Sequence, residues 1–452
     1  MDAVARFAAH VVDTEFGDLP PAAVQAAKTF ILDALGVGLV GSAGPWVEEL
    51  IESQRLSGHG EDARVWLRGD RLPAPAAAMC NAYQIHNSEF DSVHEAAVVH
   101  AVTVVLPSML AVAERDGGAG GRDLIAAVSL GVDVAAHLGV AATSGLRFFR
   151  PGTAGAFAAV AGIGKLRGFD VDTLINAFSI VYAQLCGTMQ SHTEGSMLLG
   201  LQVGFNARNA VVACDMAAAG LDGPKQVLEG PFGYLRLFEA EYDLGPVLHD
   251  LGKVWRITEM AHKPFPSGRA THGVVDGCLQ LQRAHGFEAD DIARIVARVP
   301  PLVHHLVGRP VQDAMTVNYA RLCATYVAAR ALLDGAVGVE DFRAGALGDA
   351  ASLALARRIE VEIDANPDPN ALTPLSVEIW LDDGQRHEIT LDAVYGSPAN
   401  PLSRDDHLAK FRRNCAGAAR PLPGDQVERL IAMVDDLEEV NELRDLVDQL
   451  VA

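Results

Sequence analysis

Over roughly the first 260 residues, apolar positions recur at intervals of three and four, the spacing that lines one face of an α-helix. Pro20-Pro21 opens the first clear case, with Val24, Ala27, Ile31, Ala34, Leu35 and Gly38 on one stripe. Proline is tolerated in that first turn because its missing N–H has no helical partner to lose. Gly41-Ser42-Ala43-Gly44-Pro45 ends the stripe. The same spacing predicts helices over 47–56, 74–86, 108–114, 123–138, 154–168, 171–186 and 199–219, with no alternating strand between them. Beyond about residue 260 the period changes. Segments 292–299 and 359–363 alternate as strands, and 377–381 with 386–391 flank Asp382-Asp383-Gly384, a hairpin signal. Helices over 271–284 and 322–333 accompany them, so this stretch reads as a smaller α+β unit. Past Tyr395 helix returns, at 404–414 and 426–450, and the tail is expected to pack back on the first unit. The fold class is mainly α. Without an internal repeat or a low-complexity linker, the two units should share a substantial interface.

A chain of 452 residues is too long for one small core, and two domains are the expectation. Its 50% of hydrophobic residues are mostly Ala, Val and Leu, which suits closely packed helices. The net charge of -22 opposes binding to nucleic acid or to an anionic membrane by bulk attraction. An anionic substrate therefore needs a local basic cluster. The six cysteines stand singly, which reads as reduced core residues of a cytosolic protein. Met1 to Arg6 lacks the basic start and apolar core of a signal peptide, so the expected location is cytoplasmic. Segment 124–142 approaches a membrane span in composition, but Asp133 and His137 interrupt it and a buried helix explains it better.

The chemistry concentrates in His86-Asn87-Ser88-Glu89-Phe90-Asp91-Ser92-Val93-His94-Glu95, closed by His100, between two segments apolar enough to be buried. A carboxylate or imidazole taken out of water costs several kcal/mol unless paired, and such groups gather at functional sites. His100 sits where the chain turns into a helix, near the positive end of the dipole, which favours a neutral ring. The competing reading is a surface loop with solvated charges.

Three further stretches carry candidate groups. Gly145 to Gly155 sets Arg147 and Arg150 before a helix N-terminus, where N–H groups and guanidinium forks could hold a carboxylate, unless the arginines are solvated and the glycines serve only packing. Ser191 to Ser196 offers His192, while Thr193 and Ser196 are expected to cap the next helix. In Lys263-Pro264-Phe265-Pro266-Ser267-Gly268-Arg269-Ala270-Thr271-His272 two prolines stiffen the segment that aims Lys263. Ser267 reads as an N-cap, with Arg269 and His272 in the following turns. A Lys in a desolvated cleft becomes a usable base or a cation for a carboxylate; the alternative is a hinge with a solvated Lys. His304-His305 reads as a polar surface loop, and Tyr319 and Tyr326 as core.

Together these stretches resemble the MmgE/PrpD family, which includes 2-methylcitrate dehydratases, cis-aconitate decarboxylases and iminodisuccinate epimerases. The likeness rests on Leu32-Asp33-Ala34-Leu35-Gly36, on Glu89-Phe90-Asp91 through His100, on Pro151-Gly152-Thr153-Ala154-Gly155 and on Lys263-Pro264-Phe265-Pro266. Pro401-Leu402-Ser403 with Asp406, Lys410 and Phe411 completes it. The resemblance implies a large all-helical domain formed by both chain ends, 1–262 and 396–452, and a smaller α+β lid domain, 263–395. It also implies a homodimer and catalysis at the domain cleft without metal or organic cofactor. It carries the catalytic roles onto Asp91, His100 and Lys263. Departures accompany it: Arg150 stands where the lyases usually have His, an apolar residue near Leu199 replaces a Lys, and Gln202 and Gly268 replace His. Imidazoles thus give way to guanidiniums, which weakens the case for 2-methylcitrate and cis-aconitate and keeps another small polycarboxylate.

The expected activity is a cofactor-independent, dehydratase-like lyase that abstracts a proton α to a carboxylate of a small di- or tricarboxylate. His100 or Lys263 is the base, Asp91 orients His100, and Arg150 and Arg269 stabilise the enolate. His192, Gln202, His94 and His272 are the further substrate contacts. An epimerase working by proton removal and return is the first alternative, and a non-catalytic polycarboxylate-binding protein the second. A metal hydrolase using His94, Glu95 and His100 ranks last, because the spacing matches no common zinc motif.

Overall fold

In the computed structural model, which describes residues 2–452, most of the periodic stretches are helices. They run α1 (Ala3–Asp13), α2 (Pro21–Gly41), α3 (Val47–Ser57), α4 (Ala74–His86), α5 (Ala101–Asp116), α6 (Gly121–Ala141), α7 (Arg150–Leu166) and α8 (Val171–Tyr182). A single turn, α9 (Gln190–Glu194), leads to α10 (Leu198–Ala218). Helices α4, α5, α7 and α10 pack together at the centre, with α6 against α7 and α2 against α4. The abundance of Ala and Gly makes this possible. At Gly41 a Cβ would lie 1.7 Å from the carbonyl oxygen of Gln84, so α2 and α4 could not approach as they do with any other residue there. The apolar helix α6 is a core helix whose polar residues are partnered: Asp133 accepts from the Arg256 amide at 2.7 Å and lies 3.2 Å from His10 Nε2.

The C-terminal segment returns to this body. Its helix Arg404–Ala416 lies on α2, where the Lys410 ammonium donates to Asp33 at 2.7 Å and to the Phe90 carbonyl at 3.0 Å, all three residues buried. The stretch 426–450, predicted as one helix, is three pieces: Gly424–Asp435, a 3-10 turn Leu437–Glu439, and Leu443–Asp448. The interruption is tertiary in origin, because the carbonyl of Val440 accepts from the Gly121 amide at 2.8 Å. The helix predicted to 186 stops at Tyr182, after which Asn206 and Gln202 hold the backbone of Cys186 and Thr188.

Two ribbons stand in the half where the pattern predicts no strand. β1 (Ala63–Arg64) pairs with β2 (Arg71–Leu72), and β3 (Val93–His94) pairs antiparallel with β4 (Met260–Ala261). Two residues carry no readable period, yet β3 and β4 join the polar cluster to the segment before Lys263. In the α+β region β5 (Ile292–Val299), β6 (Ile359–Ile363), β7 (Leu375–Leu381) and β8 (Arg386–Leu391) form one sheet in the order β6-β5-β7-β8. Only β5 and β6 are parallel, which a crossover through helical segments permits. The helix His272–His285 covers β7 and β8. Two apolar cores result, one drawn almost wholly from residues 3–260 and 411–450, the other from 270–391.

Because Asp33 and Lys410 are both buried, removing one partner strands the other. We expect Lys410→Met to lower unfolding stability by about 3–5 kcal/mol and Asp33→Asn/Lys410→Met to recover most of it. Chemical denaturation checks this; equal losses in the single and double variants would show that the pair does not anchor the tail.

Candidate active site

The polar cluster is built by the end of α4, the ribbon β3–β4 and the start of α5. His86 is the last residue of α4, and His100 is the N-cap of α5. Between them the backbone enters the left-handed region at Glu89 (φ 52°) and at Val98 (φ 52°). For a β-branched residue such as Val98 this conformation costs on the order of 1–3 kcal/mol and persists only where surrounding bonds impose it. Here they do: the amide of His94 donates to Val99 O at 2.9 Å and that of Val98 to Glu95 O at 3.1 Å, closing a tight turn.

Asp91 is the hub. Its Oδ2 accepts from the Thr103 hydroxyl and lies 2.9 Å from His86 Nδ1 and 3.0 Å from His100 Nδ1. Its Oδ1 is 3.7 Å from the Lys263 ammonium, which itself donates to Glu89 Oε2 at 3.0 Å and to Glu89 O at 3.1 Å. Asp91, His86 and Lys263 are essentially without solvent contact. Burial works against the Asp91 carboxylate, but His100, His86 and Lys263 outweigh it and hold its pKa well below the usual carboxylate range. Glu89, opposed by burial and favoured by Lys263, falls to about 2. Both acids are ionised at neutral pH.

The two imidazoles on Asp91 part company. Burial lowers His100, and the attraction of Asp91 does not make up for it with Lys263 close by. For His86 burial also lowers, yet Asp91 and Glu89 together prevail and the pKa rises. His86 is therefore the more basic ring, and His100 the one that is neutral at neutral pH. His100 Nδ1 lies 3.0 Å from the buried carboxylate, and the ring lines the adjoining cavity. A carboxylate-backed neutral imidazole of this kind is equipped to take a proton from a bound molecule.

The cavity lies between the two units, lined by the cluster and by residues between 146 and 199 on one side and by residues 268–270, 302–322 and Leu372 on the other. Of the residues proposed from sequence, His100, His192 and Arg269 reach it. Asp91 and Lys263 stand directly behind it. Lys263 has no exposed surface and does not line the cavity, whereas His100 does. Arg269 faces the cavity with its charge matched by Glu95 at 2.6 Å and further donors engaged by the carbonyls of Tyr395 and Val394. His192, pushed down to about 4 by burial, accepts from Arg309 and is neutral.

Four assignments are corrected by the geometry. Arg150 is bidentate to Glu239, at 2.9 Å in both bonds, and donates to Ala97 O at 2.9 Å; it is a buried clamp that does not line the cavity. Gln202 spends both ends of its amide on the backbone of Thr188. His94 is bound between Glu259 and the Ala97 amide, and its ring is turned from the cavity. His272 is buried behind Arg269, its Nε2 near Ser267 O, and does not line the cavity. Two caps differ as well: a 3-10 turn, Arg269–Thr271, precedes His272, so Ser267 bonds the Thr271 hydroxyl instead of capping, and Thr193 lies inside α9 while Ser196 does accept from the Leu198 amide. His86 and Glu89 belong to the cavity wall although sequence reasoning assigns them no role; their signal was the density of titratable groups around Asp91.

By composition and distance two groups among the described residues could hold a cation, Asp33–His262–His407 and His86–Asp91–His100. In each an ammonium already neighbours the carboxylate, Lys410 at 2.7 Å from Asp33 and Lys263 at 3.7 Å from Asp91, and repels a second positive charge.

A buried proton-transfer group opening on a cleft between two units defines an enzyme. Residues 5–246 match the MmgE/PrpD N-terminal domain and residues 265–439 the MmgE/PrpD C-terminal domain. The chain belongs to the MmgE/PrpD family. It is similar to the cis-aconitate decarboxylase of Mus musculus, 28% identical with 96% of this chain and 91% of the relative covered. The Homo sapiens cis-aconitate decarboxylase is 29% identical (96% and 92% covered) and that of Aspergillus terreus 26% (95% and 93%).

If Arg150 is a clamp and not a ligand for substrate, Arg150→Ala should cost about 3–5 kcal/mol of stability by leaving Glu239 buried and unpaired. Arg150→Met/Glu239→Gln should restore most of the loss, as thermal or denaturant unfolding will show. A stable Arg150→Ala protein with only a raised KM would return Arg150 to the substrate.

Proposed function

We propose that the protein is a lyase that moves a proton at the carbon next to a carboxylate of a small carboxylic acid. The observation that carries this reading is His100, a neutral ring that lines the cavity with its Nδ1 3.0 Å from the Asp91 carboxylate. The similarity to proteins named as cis-aconitate decarboxylases supports a carboxylate substrate and bond cleavage without hydrolysis.

In the proposed sequence Nε2 of His100 takes the α-proton, and the electron pair of the broken C–H bond spreads onto the substrate carboxylate. The resulting charge lies beside Arg269. Expulsion of a group from the neighbouring carbon forms the double bond, and the proton on His100 leaves with that group, restoring the neutral ring. In a decarboxylation, His100 takes a proton from solvent and delivers it to the carbanion left by loss of carbon dioxide, returning to the neutral ring. Asp91 stabilises the transient imidazolium in either case, as buried carboxylates do in acid–base dyads. Lys263 keeps Asp91 and Glu89 ionised. These steps use side chains alone.

Two outcomes are expected. With hydroxy and unsaturated acids, cis-aconitate among them, incubated in deuterated water, the wild type should exchange the α-proton and form or consume an alkene. His100→Gln should lose on the order of 10²–10⁴ in rate. Exchange with inversion and no alkene would replace the lyase by an epimerase, and undiminished turnover in His100→Gln would remove the base. In the pH profile of kcat/KM, the base acts when unprotonated, so the rate rises with pH through its pKa and then levels. Because burial lowers His100, that rise should lie below the ordinary imidazole value of about 6.5. An acid limb centred above that value would contradict the assignment.

A further inference from the structure

In the proposed reaction His100 removes a proton, and the charge so created has to be met by donors on the same cavity wall. Arg269, the guanidinium on that wall, is already matched by Glu95 at 2.6 Å. A third imidazole lines the cavity besides His86 and His100: His192, carried by α9, buried, and paired with no carboxylate among the described residues. Three bonds from the α+β unit hold the turn that presents it. Thr316 Oγ1 donates to the Gly195 carbonyl at 2.7 Å, Asn318 Nδ2 to the Ser196 carbonyl at 3.0 Å, and Arg309 Nη2 to the His192 carbonyl at 3.1 Å. The same Nη2 lies 3.4 Å from Nδ1 of the His192 ring, while the Arg309 guanidinium stacks over Tyr319, 4.9 Å from the ring centre.

A guanidinium has donors and no acceptor, so the ring nitrogen facing it must offer a lone pair. Nδ1 of His192 is therefore unprotonated, and the single proton of the neutral ring sits on Nε2. Burial, with Arg309 acting in the same sense, holds the pKa at about 4, so the ring is neutral at neutral pH. Among the described residues nothing bonds Nε2, although that atom is not sealed from solvent. His100 has the opposite arrangement: its Nδ1 lies 3.0 Å from a carboxylate, which calls for a proton there. One neutral ring has a lone pair with which to take a proton, and the other an N–H from which to give a hydrogen bond. We infer that His192 is a second catalytic residue, whose Nε2–H donates to the substrate carboxylate oxygen on which charge collects when His100 takes the α-proton, and that Arg309 is the positioning residue that fixes this tautomer. His192 keeps its proton throughout, and no bond at its ring forms or breaks. A neutral donor aligned in advance stabilises developing charge without having to reorganise. The role in turnover rests on the lyase reading; the tautomer rests on the Arg309 contact alone.

Nitrogen-15 NMR of the histidine-labelled full chain, with His192→Gln to assign the ring, should find His192 uncharged at neutral pH with its proton on Nε2, the reverse of His100. Propane-1,2,3-tricarboxylate, an unreactive acid, should move the Nε2–H signal downfield. In Arg309→Met the two nitrogens should share the proton and the pKa should climb toward the ordinary value of about 6.5. With the acid that exchanges fastest in deuterated water, His192→Phe should lose on the order of 10²–10³ in kcat with little change in KM, because the bond strengthens only as charge develops. His192→Gln, whose amide also donates, should recover about tenfold of that loss, the equivalent of one hydrogen bond. A proton on Nδ1, a ring charged at neutral pH, no response to the tricarboxylate, or a His192→Phe protein as active as the wild type overturns the inference and leaves the His100 base standing. Equal losses in the Gln and Phe variants overturn it as well, since retaining a donor would then count for nothing. Absence of exchange in the wild type sinks the lyase instead, and the tautomer and the response to the tricarboxylate still decide whether His192 is a donor to carboxylates.

Discussion

One buried carboxylate, that of Asp91, gathers the side chains of three separate pieces of chain. His86 comes from the end of α4, His100 and Thr103 from the start of α5, and Lys263 approaches Oδ1 from the far side of the β3–β4 ribbon. A charge so enclosed is tolerable only with all these partners in place. The demand explains features that would otherwise look wasteful: a β-branched residue at positive φ, a two-residue ribbon joining segments far apart in sequence, and a lysine with no exposed surface held by Glu89. The helical body serves this arrangement by holding α4 and α5 side by side, and Lys410 extends it, tying the returning C-terminal helix to Asp33 and to the Phe90 carbonyl next to Asp91.

The helices also help divide the two histidines. His86 stands at the C-terminal end of α4, where the macrodipole is negative and favours an imidazolium, whereas His100 stands at the positive N-terminal end of α5, which disfavours one. The neighbouring charges act in the same sense, Glu89 on His86 and Lys263 on His100. Two chemically identical rings on one carboxylate thus acquire pKa values shifted in opposite directions, and separated pKa values of this kind are how acid and base roles are assigned in one site. Both rings border the cavity, His86 being the more deeply buried.

Much of this was legible in the residues alone. Long helices announce themselves by periodicity, and the polar segment from His86 to His100 stands out because nothing else in so apolar a surrounding carries such a density of ionisable groups. What was not legible depended on distant partners. Arg150 before a helix N-terminus looks like an anion site until Glu239, 89 residues away, closes on it. His94 resembles a ligand until Glu259 is brought beside it by the pairing of β3 with β4. The same holds for Lys263, whose side chain is aimed inward by Glu89, and for Gln202, whose amide serves the Thr188 backbone. Cavity composition was invisible for a related reason: Leu146, Leu199, Leu306 and Leu322 read singly as core, and only the meeting of the two units makes them a wall.

The division of protonation between His86 and His100 can be read directly by nitrogen-15 NMR of protein labelled at histidine, with His86→Gln and His100→Gln variants to assign the rings. The account predicts that His100 at neutral pH is uncharged, carries its proton on Nδ1 and titrates below the usual imidazole range, while His86 remains protonated above it. A His100 ring that is charged at neutral pH, or that carries its single proton on Nε2, would contradict it.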